Sequence, residues 1–291
     1  MTISKQVAAN KRSTVMIMLV FVVFVSLIGG LFAWLSGSWS MVFWFLGIAA
    51  VYALIQYFVA GKLSVVMTGA REIQKSDNPR FYGIVEELSE TAKLPMPKVY
   101  VIKDTAPNAF ATGRDPAHAI VAATTGLIEI MDDKELRSVM AHEMSHVKNY
   151  DIRVGMIVFG LVCVIGFISD IGLRMLFYSN RDDDNKSPIG LVIAVLTLIL
   201  APIAAALAQM AVSRQREYLA DSSSAQMTKQ PESMISALKK LDAHARPMHQ
   251  QNPATEALFI ANPLKKTFFS NIFSTHPSID QRVERLSDAR K

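Results

Sequence analysis

Apolar residues occur along this chain in two ways, as unbroken runs and as periodic stripes. Val15 to Leu35 is twenty-one residues without a charged side chain, long enough to cross a bilayer. After Ser36-Gly37-Ser38-Trp39-Ser40, Met41 to Ala60 is again free of charge. The first run exceeds the apolar core of a cleaved signal peptide and a second follows at once, so the pair predicts a helical hairpin in the membrane. Val154 to Ile168 is a shorter run of fifteen residues, interrupted by Asp170 and Arg174. A full crossing and a tilted hairpin reaching partway in are both open for it. Asp170 and Arg174 are expected to mark the interface rather than to pair. Pro188 to Val212 reads as a fourth span, kinked at Pro202.

Between the runs the pattern changes to that of a water-exposed domain. Asn78-Pro79 opens a helix with Phe81, Ile84, Val85, Leu88 and Ala92 on one face, closed by Leu94-Pro95-Met96-Pro97. Strands are predicted at Lys98–Ile102, 108–112 and 119–123, with Pro107, Gly113 and Asp115-Pro116 as punctuation. Residues 124–131 are ambiguous between strand and turn. Asp132 and Glu135 are spaced as a capping box, and Leu136, Val139, Met140 and Val147 continue a helical stripe, expected to run through Asp151. Met234, Ala237, Leu238 and Leu241 mark another helix, and Ile279, Val283 and Leu286 a last one.

Composition agrees with membrane spans: 51% of residues are hydrophobic and the mean hydropathy is +0.26. The net charge of +5 suits a surface beside anionic lipid. No basic stripe interleaved with aromatics points to nucleic acid. Lys5, Lys11 and Arg12 precede the first span and Lys62, Arg71, Lys75 and Arg80 follow the second, while their connection carries no charge. Both flanks are therefore expected in the cytoplasm. The single Cys163 excludes an internal disulfide and a multi-cysteine metal cage.

The candidate chemistry lies in Ala141-His142-Glu143-Met144-Ser145-His146. Two imidazoles four residues apart share a helical face and reach one ion. Glu143 stands inside the apolar stripe, where a carboxylate is expensive to bury without a reason. Such a pattern suits Zn²⁺ held by His142 and His146, with Glu143 taking the proton of a metal-activated water as it attacks a peptide carbonyl. A catalytic zinc usually takes a third protein ligand. Arg214-Gln215-Arg216-Glu217-Tyr218-Leu219-Ala220-Asp221 places Glu217 as that ligand, with Asp221 one turn on to hold a ligand imidazole in its tautomer. Alone, this stretch reads more readily as a solvated helix with Arg–Glu pairs, and only its pairing with HEMSH reverses that preference. His118, His244 and His249 have no partner in register and read as structural or surface residues.

HEMSH, then EYLAD, with apolar hairpins flanking the catalytic helix and the segments APNAFATG and STHPSIDQR, closely resembles the HtpX family of bacterial membrane-bound zinc metalloproteases, related to CAAX prenyl proteases. The resemblance covers nearly the whole chain. It implies His142, His146 and Glu217 as ligands of one Zn²⁺ per chain and Glu143 as general base. It also implies that Asn108, Ala109 and Phe110 belong to an edge strand for an extended substrate, and that His276 lies near the reacting carbonyl. The expected fold is α+β: a multi-pass membrane protein with four transmembrane helices in two hairpins and a zincin-like cytoplasmic domain. Residues 1–60 would be the first hairpin, 61–153 the first part of the cytoplasmic domain, 154–212 the second hairpin and 213–291 the second cytoplasmic part. Polypeptides, membrane proteins among them, are the expected substrates and the lipid bilayer the other partner; nucleic acid is excluded and no oligomeric state is implied. The expected location is the bacterial inner membrane, with site and termini cytoplasmic and a role in membrane-protein quality control. Two rivals are an intramembrane metalloprotease and a non-enzymatic membrane metal-binding protein. Charged residues around HEMSH argue against the first, and the second gives no reason for Glu143 or Glu217.

Overall fold

Two uninterrupted apolar runs have one stable backbone solution away from water, the helix. A computed structural model, describing residues 3–179, 214–262 and 277–288, folds them as α1 (Ile3–Ser36) and α2 (Ser40–Thr68). They are joined by a tight turn in which Gly37 has φ 69°. Both contain stretches long and apolar enough to cross a membrane, at Val7–Leu27 and Val42–Thr68. The outward faces of both carry large exposed apolar side chains such as Leu27, Phe43 and Ile48.

A third long helix, α6 (Asp151–Ser179), packs against both. Gln56 of α2 donates to the Ile157 carbonyl at 2.6 Å, and Tyr52 donates to the Gly160 carbonyl at 2.7 Å. A side chain at position 160 would collide with the Gln56 amide, so glycine there permits the close approach. The helix runs on past Ile168, and Arg174 pairs with Asp170 at 2.8 Å. The expectation that these two only mark an interface is corrected: at i and i+4 on a continuous helix they meet, although both are exposed. The expected fourth span, 188–212, and Pro202 lie outside the described residues.

The remaining elements build a small mixed layer. A four-stranded sheet has the order β1 (Arg71–Glu72), β2 (Lys98–Ile102), β4 (Ile120–Thr124), β3 (Ala109–Thr112). Strands β2 and β4 are parallel, and β3 pairs antiparallel with β4 at the edge. The short β1 was not anticipated. The ambiguous stretch 124–131 resolves as a one-turn helix, α4 (Thr125–Ile130), capped by the Thr124 hydroxyl accepting from the Leu127 N–H.

Helix α3 (Pro79–Ala92), capped by Asn78, buries the stripe Phe81, Ile84, Val85, Leu88 and Ala92 against α5 (Asp133–Lys148). Asp132 and Glu135 form the capping box in full. Across α5 lie α7 (Arg214–Thr228) and α8 (Pro231–Ala243). Helix α9 (Ile279–Asp288) closes on α7 and α8. The helix bearing HEMSH stops at Lys148 rather than running through Asp151. Tyr150 takes φ 60°, and this left-handed step starts α6 in a new direction.

Candidate metal centre

Helix α5 is amphipathic on a buried scale: Leu136, Val139, Met140, Met144 and Val147 are enclosed in the core, and so are His142 and Glu143. One turn separates the two imidazoles, whose rings stand nearly perpendicular with centroids 4.7 Å apart. Their Nε2 atoms face each other at 3.1 Å. From α7, Glu217 brings Oε2 to 3.6 Å of His142 Nε2 and Oε1 to 3.5 Å of His146 Nε2. One ligand atom from each of the three lies within 4.8 Å of the others. Helix α7 is pinned to α5 by Ser224, whose buried hydroxyl donates to the Ser138 carbonyl at 2.6 Å.

The other ring nitrogen of each histidine meets a carboxylate. His142 Nδ1 lies 2.9 Å from Asp221 Oδ1 and His146 Nδ1 lies 3.0 Å from Asp151 Oδ2. Each acid favours the tautomer with hydrogen on Nδ1, which turns the Nε2 lone pairs toward the shared centre. Two such lone pairs and a carboxylate at this spacing form a donor set that fits a divalent ion of the zinc type.

Behind Asp221 stands Arg282 of α9, only 1% exposed. Its Nε and Nη2 donate to the two Asp221 oxygens at 2.9 and 2.6 Å, and its Nη1 lies 3.8 Å from Glu217. Asp151 in turn accepts from the Asn10 amide at 2.6 Å and lies 3.6 Å from Arg216 Nε. Burial pushes the Asp221 carboxyl up, but Arg282 and His142 outweigh it and hold the group down at about 2. Burial pushes His142 down, yet hydrogen bonds to Asp221 and Glu217 carry it up to about 9 in the metal-free protein. An ion at Nε2 therefore displaces a proton through most of the physiological range. Glu143 is shifted up by burial, against the pull of the two histidines, and among the described residues none donates a hydrogen bond to its carboxylate.

The sequence reading placed His142, Glu143, His146, Glu217 and Asp221, and the fold brings all five together. It missed Arg282, Asp151 and Asn10. Arg282 had a signal: it falls inside the stripe Ile279, Val283, Leu286, the same anomaly that singled out Glu143. Asp151 was read as helix continuation, and nothing local marks its partnership with His146. His276 lies outside the described residues. Asn108, Ala109 and Phe110 do lie along the sheet edge, but the chain itself already engages that part of it. Asn108 clamps the Ala261 backbone, donating at 2.8 Å and accepting at 3.2 Å. The Ala109 carbonyl accepts from the Ile260 N–H at 3.0 Å, and Phe110 bridges Phe259 with the rings edge to face at 5.2 Å.

Residues 75–290 match the family described as Peptidase family M48. Curated relatives include a "Protease HtpX homolog" of Tropheryma whipplei (strain Twist), 51% identical over 97% of both chains. Another, from Streptococcus gordonii, is 43% identical over 97% of this chain and 98% of its own. Among solved structures, S. mikatae Ste24p is similar in fold, with a TM-score of 0.52 at 16% identity, covering 97% of this chain and 67% of that one.

Proposed function

This chain belongs to peptidase family M48, and on that premise we propose that it is a membrane-bound zinc endopeptidase cutting cytosolic parts of membrane proteins in membrane-protein quality control. The observation that carries the reading is the convergence of His142, His146 and Glu217 with both imidazoles backed by carboxylates. His142 and His146 Nε2 and the Glu217 carboxylate would hold one Zn²⁺. Bound there, the ion supplies Lewis acidity toward a peptide carbonyl and acidifies water.

The chain's own groups do the rest. Glu143, whose proton affinity is raised by burial, would accept a proton from water and return it to the leaving amine. Asp221 and Asp151 keep the imidazoles in register through that transfer. Substrate would lie as an added strand along β3. Because residues 108–110 are engaged by 259–261, the free stretch of that edge begins at Ala111, whose backbone groups point to the same side as those of Ala109.

The reading includes four spans in two hairpins, an inner-membrane location, and cytoplasmic termini. Residues 61–153 and 213–291 together make the zincin-like cytoplasmic domain. Support comes from α6 beginning five residues after His146 and from Glu217 standing in the first turn of α7. At 1.5 Å per helical residue, these connections keep the metal roughly 8 to 12 Å from the apolar segments. Glu143→Gln should bind Zn²⁺ at wild-type stoichiometry and lose peptide hydrolysis, whereas His142→Ala should lose both. A Glu143→Gln protein that cleaves peptide at the wild-type rate would overturn the assignment.

A further inference from the structure

Asn10 is a buried amide in the polar first turns of α1, ahead of its apolar run, and such a group is costly unless its donors are used. They are used on the catalytic domain. Its Nδ2 donates to the Asn149 carbonyl at 2.8 Å and to Asp151 Oδ1 at 2.6 Å. Asp151 turns its other oxygen to His146 Nδ1 at 3.0 Å. One residue along, Lys11 places its ammonium 4.7 Å from the centre of the Tyr150 ring, the residue whose left-handed backbone makes the α5–α6 corner. The first membrane helix therefore grips the short turn that carries Asp151.

We propose that Asn10 is a positioning residue for the ligand His146, so that the N-terminal hairpin is a working part of the metal centre as well as an anchor. The proposal rests on the zinc-peptidase reading above. Its physical content is a competition for Asp151. Arg216 Nε stands 3.6 Å from the same Oδ1 that Asn10 holds. With the amide present, the carboxylate is shared between α1 and α7 and its second oxygen stays on His146. Without it, the carboxylate swings toward the guanidinium and His146 loses the acceptor that fixes its tautomer.

Two readouts test this, one of them free of metal: the Zn²⁺ dissociation constant by chelator competition, and the His146 tautomer by ¹⁵N NMR of the apo protein. The full chain is kept in detergent or nanodiscs. Asn10→Ala should weaken Zn²⁺ binding about tenfold, the low end for an outer partner of a ligand, and spread the His146 tautomer. Asn10→Asp, nearly isosteric, should weaken it further because two carboxylates would then compete for one site. Adding Asp151→Asn to Asn10→Asp reverses the donor and acceptor between positions 10 and 151 while leaving an oxygen for His146 Nδ1–H, and should recover part of the affinity, the Asn149 carbonyl still lacking its donor. A purely structural Asn10 would show lower stability in the single variants with both readouts unmoved, and that result overturns the proposal, as does a double variant no better than Asn10→Asp. Should the wild-type chain bind no Zn²⁺, the peptidase reading fails, while the apo tautomer still decides the role of Asn10.

Discussion

Replacing Arg282 by Met removes a cation that is almost completely enclosed and leaves the Asp221 carboxylate buried without its bidentate partner. Two unit charges roughly 4 Å apart attract by about 4 kcal/mol at an effective dielectric of about 20. Breaking a buried pair from one side generally costs about 3–5 kcal/mol because the survivor stays desolvated. The two estimates agree, and the loss corresponds to a fall in melting temperature on the order of 10 °C. A second effect is chemical. Freed of the guanidinium, Asp221 rises from about 2 and holds His142 less firmly, so Zn²⁺ binding should weaken about 10–100-fold. Thermal melts of detergent-solubilised protein and chelator competition measure both. Arg282→Met/Asp221→Asn should be more stable than Arg282→Met alone, since it removes the stranded charge. A single variant that melts within about 2 °C of wild type and binds Zn²⁺ within about twofold of it would refute the claim that this pair organises the site.

Glu135 accepts from Lys240 at 2.6 Å, Ser236 at 2.7 Å and the Asp132 N–H at 2.9 Å, so Glu135→Gln should destabilise by about 2 kcal/mol in denaturant titrations. Burial pushes this carboxyl up, but Lys240, Ser236 and the cap pull it below its ordinary 4.5. Its folded pKa is thus lower than its unfolded one. The contribution is complete above about pH 4.5 and disappears as pH falls through the folded value, so the variant should show a flatter acid limb below that point. Gly126→Ala should cost about 2–3 kcal/mol, because a Cβ there strikes the Thr105 backbone, which cannot rotate away. Gly83→Ala, in helix α3 with open space around it, should instead gain about 0.5–1 kcal/mol in the same assay.

The sequence was most informative where partners are close along the chain. The capping box of Asp132 and Glu135, the paired imidazoles and the stripes of α3, α5 and α8 all follow from helical spacing, and the strands β2, β3 and β4 fell within a residue of their places. Sheet order did not, because β4 pairs in parallel with β2 and pushes β3 to the edge, a choice made by long-range packing. The same holds for the groups behind the two imidazoles. Arg282 and Asp221 are separated by 61 positions and Asn10 and Asp151 by 141, and only folding joins them. The α5–α6 corner was missed because it turns on one non-glycine residue, Tyr150, in a left-handed conformation that its side-chain type does not signal. Coverage of the β3 edge by 259–261 escaped for a similar reason: the segment is a single bridge and carries no strand periodicity.

The guanidinium that completes the centre is 140 positions later in the chain than the first imidazole. At about 5–20 residues per second of synthesis, a growing polypeptide displays both histidines roughly 7–28 s before that side chain exists. A nascent copy is thus a half-built blade, and its cutting edge closes only once helix α9 has been made.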